Sequence, residues 1–518
     1  MLMKTPHLRL LLALVACASL AAETDGARIL GVFHYNGKSH FMVFESLMKA
    51  LAARGHQVDV LSHFPQKTPV PNYTDIDVSG TAPDVLDNIT IDMALSWRMF
   101  SMADFIWVDT REVCRRALDH INVQALLRSS AGYDLVVTEI FGSECAVGFA
   151  RRFGAPLVHV ISSVALPWTH ARIGNPDHPA YVPSYFLPYT HRMDFFQRLA
   201  NTVLGAYFRA GNYFYNERPT SALMRRYFGE DVPSVEELVA NSSLVLVNSH
   251  FSINWPRPAV PAFVEVGGMH IQEPKKLPQD LEKFLNESTH GVVYFNLGSL
   301  VRVQTFPEDK LNALLDAFGA LPERVLMKYT GDSLPGKPDN VMTSKWIPQM
   351  GVLSHPKTKV FVSHGGLGST HETVHSGVPV VGMPLFADQE SNINNLRELG
   401  MAAMLRYEDL TKDSLLRAIR TVIDNSSYSE SARRVSAVFR DRPLPPMDTA
   451  VYWVEYVARH RGAPHLRSAA AGMPLHRYLL LDVFGVLAGV LLLAVWAARR
   501  ALLLVLRVTR PRPRPKRD

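Results

Sequence analysis

Short apolar runs alternate with longer amphipathic stretches along most of this chain. Arg28–Phe33, Gln57–Ser62, Tyr133–Thr138, Pro156–Ser162 and Ser243–Asn248 are brief and rich in β-branched residues, the pattern of buried strands. Between the first two, Phe41–Arg54 is amphipathic with helical periodicity, and Gly55 predicts its stop. This is a βαβ opening. A second series starts at Val292–Leu297. It continues through a helix over Pro307–Leu321, a strand over Val325–Tyr329 and further apolar runs at Val360–Ser363 and Val378–Gly382. The pattern predicts two α/β domains facing a cleft, over residues 23–270 and 286–465, joined by a linker at 271–285 that is rich in Pro and Lys. Gly174–Pro188 reads as irregular. Met193–Tyr227 reads as helical and partly apolar, suited to a partner surface or a membrane face. Ligands of open α/β sheets bind beyond the C-terminal ends of the strands.

The two ends of the chain have a different character. Residues 1–22 carry Lys4 and Arg9, an apolar stretch and the small-residue pattern Ser19-Leu20-Ala21, which predicts a secretory signal peptide. Residues 478–498 are almost wholly apolar and long enough to cross a bilayer once. The tail 499–518 is strongly basic, which places it on the cytosolic side and the body in the lumen. The formal net charge is +6, but +7 lies from Arg499 onward and +2 in Lys4 and Arg9, so the body carries about −3. That balance argues against nucleic acid as a partner. The dibasic character of the last five residues suggests residence in the endoplasmic reticulum. Asn72, Asn88, Asn241, Asn286 and Asn425 each begin an N-glycosylation triplet. Without the signal segment only Cys114 and Cys145 remain; in an oxidising lumen they are a candidate disulfide, which two cysteines alone leave open.

The chemistry concentrates in FVSHGGLGSTHETVHSGVPVVGMPLFADQ, from Phe361 to Gln389. A strand runs into His364-Gly365-Gly366-Leu367-Gly368-Ser369, followed by a helix over Thr370–Ser376 that stops at Gly377. Glycines let backbone N–H groups approach a ligand, and the helix N-terminus favours an anion such as phosphate. His364, Ser369, Glu372, Pro379, Pro384, Asp388 and Gln389, with Trp346-Ile347-Pro348-Gln349 upstream, resemble the donor-binding signature of the UDP-glycosyltransferases. The resemblance covers nearly the whole chain, and its wording is closest to the invertebrate, membrane-bound branch.

The resemblance implies an α/β fold of two Rossmann-like, GT-B type domains plus one transmembrane helix, with the acceptor half first. It implies Trp346 as a platform for the uracil ring with Gln349 beside it. Ser299, His364, Gly366 and Ser369 are then assigned to the diphosphate, Glu372 to the ribose diol, and Asp388 and Gln389 to the sugar. It makes His40, of Ser39-His40, the general base, a task suited to a pKa near working pH. The family supplies an aspartate as its partner; the aligned residue here is Glu139, with Glu144 the alternative. Gly368 stands where plant relatives carry Asn, and Met327-Lys328-Tyr329 replaces Trp-Lys-Trp. The expected enzyme moves a hexose, glucose before glucuronic acid, from a UDP-sugar co-substrate to a hydroxyl of a small lipophilic acceptor such as a phenol or steroid. Inversion is expected, with neither metal nor prosthetic group. Self-association stays open. Two rivals stand beside this reading. One is a binding protein that keeps the nucleotide fold. The other is a zinc hydrolase, since His371-Glu372-Thr373-Val374-His375 matches H-E-x-x-H.

Overall fold

The computed structural model describes residues 26–83 and 88–509, so the signal segment and most of the basic tail lie outside the described residues. The apolar runs form two parallel sheets. The first has β1 (Arg28–Phe33), β2 (Gln57–Ser62), β3 (Tyr73–Asp77), β4 (Leu135–Glu139), β5 (Leu157–Ile161), β6 (Leu244–Val247) and β7 (Phe263–Glu265). Their spatial order is β3-β2-β1-β4-β5-β6-β7. The second has β8 (Val292–Asn296), β9 (Arg324–Lys328), β10 (Val341–Ser344), β11 (Thr358–Ser363), β12 (Val380–Gly382) and β13 (Ala402–Met404), in the order β10-β9-β8-β11-β12-β13. The central strands read as continuous apolar runs because helices cover both faces.

Each sheet reverses its strand order once, between β1 and β4 and between β8 and β11. These switch points open the two crevices where loops can reach a ligand. The helix after β1 covers Lys38–Ala53 and begins before Phe41, so His40 sits in its first turn. The helix after β11 covers Leu367–Ser376, one turn longer than the periodicity suggests, and ends at Gly377 with φ +69°.

The sequence boundaries between the halves shift at three places. Pro446–Arg459, assigned by sequence to the second domain, packs on the first. Its Ala450, Val451, Val454 and Val457 are buried with Ile29, Phe44 and Leu135. The helix Gln279–Asn286, assigned to the linker, buries Leu281 and Leu285 in the second core. Both shifts follow from amphipathic stripes that reveal burial but not the neighbour that covers them. In the other direction, residues 89–94 leave the first half and dock on the second. The Ile89 N–H donates to the Leu300 carbonyl at 3.0 Å, and the Arg302 N–H to that of Ile89 at 2.9 Å. Ile89, Ile91 and Ala94 are buried beside Val301 and Phe306.

Cys114 and Cys145 form a disulfide buried in the core against the first sheet, among Leu30, Val32 and Val136. A helix of 28 residues, Leu481–Val508, leaves the body with mean hydropathy 2.3 over its most apolar window and none of that window buried. At 1.5 Å per residue it is about 42 Å long, more than a hydrocarbon core of about 30 Å.

Candidate active site

The switch point of the first sheet carries the predicted acid–base pair. His40 follows β1, and Glu139 is the last residue of β4. His40 Nδ1 lies 2.5 Å from Glu139 Oε1, with the imidazole side chain 20% exposed and the glutamate 6%. The contact sets the neutral ring's tautomer, because a carboxylate on Nδ1 requires the proton there and leaves the Nε2 lone pair free to accept one. Tyr35 and Phe141 stand edge-on to the ring at 5.0 and 4.5 Å between centroids. Glu144 is elsewhere. It forms a buried cluster with Arg172, which also pairs with Glu217. Burial raises the Glu144 carboxyl to about 7 despite that partner. Glu139 is therefore the carboxylate that meets His40.

The switch point of the second sheet gathers the residues that the resemblance assigns to the donor. Gly298-Ser299 follow β8 and His364-Gly365-Gly366 follow β11. The His364 ring is held between two glycines. A Cβ on Gly298, which has φ +90°, would come within 2.7 Å of the ring, and one on Gly366 within 2.6 Å. Burial, reinforced by Lys328, lowers His364 to about 4, so at neutral pH it is an uncharged hydrogen-bond donor. Its Nδ1 is buried and has no partner.

Gln349 organises the next layer. Its Oε1 accepts from the Tyr294 hydroxyl at 3.0 Å and from Asn296 Nδ2 at 2.8 Å. Its Nε2 donates to Ser369 Oγ at 3.0 Å and to Glu372 Oε2 at 2.5 Å. The amide is thus fully used, and Glu372 is fixed by one oxygen with the other left over. Burial raises Glu372 to about 7, opposed by Gln349. Trp346 is 74% exposed, an indole face presented to solvent beside this network.

Asp388 and Gln389 begin the helix Gln389–Glu398 and are both buried. Gln389 Oε1 accepts the N–H groups of Leu385 and Phe386 at 2.8 and 3.1 Å, so its Nε2 is the end available to a ligand. Burial raises the Asp388 carboxyl, and the field of His40, from the other domain, acts on it in the opposite sense. Phe386 and Ala387, just before Asp388, pack in one cluster with Tyr35 and Phe141 beside His40, so the two crevices face one another.

The H-E-x-x-H match has no convergent geometry. Glu372 turns to Gln349, while the His371 ring is fully buried and stacks on Phe439 at 5.6 Å. Among the described residues, the ligand atoms close enough to share an ion are those of His34, Cys114 and Cys145, and the two sulfurs are already bonded to each other. Sequence reasoning missed Asn296 and Tyr294, which orient Gln349. It also missed Ser162, which touches both members of the His40–Glu139 pair. Asn296 and Ser162 sit at strand ends, where a polar residue looks like any cap, and Tyr294 lies within the apolar run of β8.

Residues 32–510 match the family model for UDP-glucoronosyl and UDP-glucosyl transferase. UDP-glucosyltransferase 2 of Dactylopius coccus is 42% identical over 479 residues, covering 91% of this chain and 92% of its own. UDP-glucuronosyltransferase 1A3 of Rattus norvegicus is 34% identical over 504 residues, covering 94% and 92%. Among solved structures, Phytolacca americana UGT2 complexed with UDP-2fluoro-glucose and pterostilbene aligns with TM-score 0.57 at 18% identity, covering 84% of this chain and 100% of that one. Spinosyn forosaminyltransferase SpnP aligns with TM-score 0.55 at 19% identity, covering 84% and 99%. The architecture is that of the GT-B glycosyltransferases. The chain belongs to the UDP-glycosyltransferase family, whose members draw on a UDP-sugar donor.

Proposed function

We propose that this UDP-glycosyltransferase moves glucose from UDP-glucose to a hydroxyl of a small lipophilic acceptor. The observation that carries the reading is the His40–Glu139 pair, 2.5 Å apart, with Tyr35 and Phe141 beside it packed against Phe386 and Ala387 of the other domain. Nε2 takes the acceptor proton as the hydroxyl oxygen attacks the anomeric carbon. Glu139 holds the ring and stabilises the imidazolium that forms. The bond from that carbon to the UDP oxygen breaks on the opposite face, so the configuration inverts. Charge growing on the leaving diphosphate is met by the N–H groups at the start of the Leu367–Ser376 helix, by Ser299 and Ser369, and by neutral His364. These donors make a metal ion unnecessary to the proposed route. Trp346 stacks on the uracil, Glu372 accepts from the ribose diol, and Asp388 with Gln389 hold the sugar hydroxyls.

The aromatic rings of Tyr35 and Phe141 beside His40 favour a phenolic or steroidal acceptor over a polar one. The closer resemblance to a UDP-glucosyltransferase supports glucose. The remaining elements of the reading are residence in the endoplasmic reticulum membrane, a lumenal body and a cytosolic tail. Turnover of UDP-glucose and UDP-glucuronate against a panel of phenols and steroids tests the reading, with a strong chelator in a parallel arm. Glucoside formation that survives the chelator is expected. Glucuronide as the main product would overturn the donor assignment, and activity lost to the chelator and restored by a divalent cation would overturn metal independence.

A further inference from the structure

Ser162 follows β5 directly, and β5 pairs with β4 so that Val160 lies opposite Glu139. Its Oγ is 2.9 Å from His40 Nδ1 and 3.2 Å from Glu139 Oε1. With the 2.5 Å contact between those two atoms, the three groups close a triangle. The outer torsions of Glu and His are broad, so a two-point contact leaves the imidazole free to roll and the carboxylate free to swing. A third point removes both freedoms. A hydroxyl has the right inventory for it, with one proton for the carboxylate and lone pairs toward Nδ1–H. The same geometry excludes Ser162 as a nucleophile. In acyl-transfer triads acid and nucleophile occupy opposite imidazole nitrogens, whereas Ser162 and Glu139 share Nδ1.

Ser162 is itself tied down. Asn248, fully buried at the end of β6, donates from Nδ2 to the Ser162 carbonyl at 2.7 Å. Its Oδ1 accepts the Gly268 N–H at 3.0 Å. Gly268 has φ +86° and starts the crossing into the donor domain. Both ends of the Asn248 amide are therefore spent on linking the strand that carries Ser162 to the passage between domains.

We propose that Ser162 is a positioning residue for the His40–Glu139 pair, and that Asn248 references it to the interdomain crossing at Gly268. The proposal rests on the reading of His40 as the base. The step it serves is unchanged: the acceptor proton goes to His40 Nε2, the new bond forms from acceptor oxygen to sugar, and UDP leaves.

The test is steady-state kinetics of the full-length enzyme with UDP-glucose and a phenol, with UDP affinity measured separately. Ser162→Ala should lower kcat about 10- to 100-fold, the loss expected when a reacting group is misplaced by about 1 Å. Donor KM and UDP affinity should stay within about twofold, because the donor site is in the other domain. Ser162→Thr keeps the hydroxyl and should recover most of the rate. In a His40→Ala background Ser162→Ala should cost nothing further. Asn248→Asp keeps the acceptor for Gly268 but loses the donor to Ser162, and its loss should likewise vanish without His40. Wild-type kcat in Ser162→Ala overturns the proposal, as does an equal loss in both backgrounds or a parallel rise in donor KM. Should Asn248→Asp fail to fold, the Ser162 variants decide. A silent Ser162→Ala beside an inactive His40→Ala sinks the proposal alone, whereas a fully active His40→Ala sinks the base assignment itself.

Discussion

Glu139 shows how one methylene relocates a partnership. The family resemblance leads to an aspartate beside His40; here the longer side chain starts from the last residue of β4 and still reaches Nδ1 at 2.5 Å. Glu139→Asp retracts the carboxylate by one C–C bond, about 1.5 Å, which takes the pair out of hydrogen-bond range. Its kcat should fall between wild type and Glu139→Ala. His40→Ala should lose about 10²–10⁴ in rate with UDP affinity intact, and adding Glu139→Ala should make little further difference. A Glu144→Ala enzyme that lost turnover while Glu139→Ala kept it would reverse the assignment. Glu372 offers a pH test on the donor side. Burial raises it to about 7 in the unliganded protein, and the proposed ribose contact requires the anion. UDP-sugar affinity should therefore be full above about pH 7 and decline as pH falls below it, by at most about tenfold per unit. Glu372→Gln should weaken binding at high pH and flatten that slope; an unchanged slope, read by calorimetry, would assign the proton to another group. The chemistry of these residues was legible from the Phe361–Gln389 motif because type and spacing both recur there. Ser162 and Asn248 were not, since a serine and an asparagine at strand ends look like any polar cap.

The Gly-rich turn works as a mould for one ring. Gly298 and Gly366 press on His364 from two sides, and Gly298 holds a backbone that other residues enter at a cost of about 1–2 kcal/mol. Gly298→Ala should raise donor KM, because the added methyl displaces the His364 ring, while the backbone strain of about 1–2 kcal/mol is borne by the fold. Melting temperature should fall only by the few degrees that this strain implies; a larger drop would mean that the turn serves the fold rather than the ligand. In the first domain, the cluster of Arg172 with Glu144 and Glu217 ties the turn after β4 to the helices beyond residue 211. Arg172→Met strands two buried carboxylates and should cost about 3–5 kcal/mol, read by denaturant unfolding. Strand identities could be read from the sequence because buried parallel strands are continuous apolar runs. The start of the Leu367–Ser376 helix could not, since its first turn is built of residues that also make good loops.

At the scale of the whole molecule, the five glycosylation triplets share one property that the sequence did not reveal. Asn72, Asn88, Asn241, Asn286 and Asn425 are all exposed. A lumenal body predicts that the chain recovered from microsomes shifts in mobility after endoglycosidase treatment, and that each Asn→Gln change removes at most one step of that shift. No shift at all would count against the orientation. The two-sheet plan was evident from the alternation of apolar runs, but the chain's return was not, because an amphipathic helix does not name the surface it covers. That return matters mechanically. The donor domain is an insertion: the chain enters it after Val266, leaves it before Pro446, and the Pro446–Arg459 helix is built into the acceptor domain. Whatever surface receives the Leu481–Val508 helix is thereby attached to the acceptor half alone. The second half is tied to the first by two crossings of the chain and by the docked residues 89–94. An apolar molecule dissolved in that surface would therefore meet first the half of the protein to which the helix is fixed.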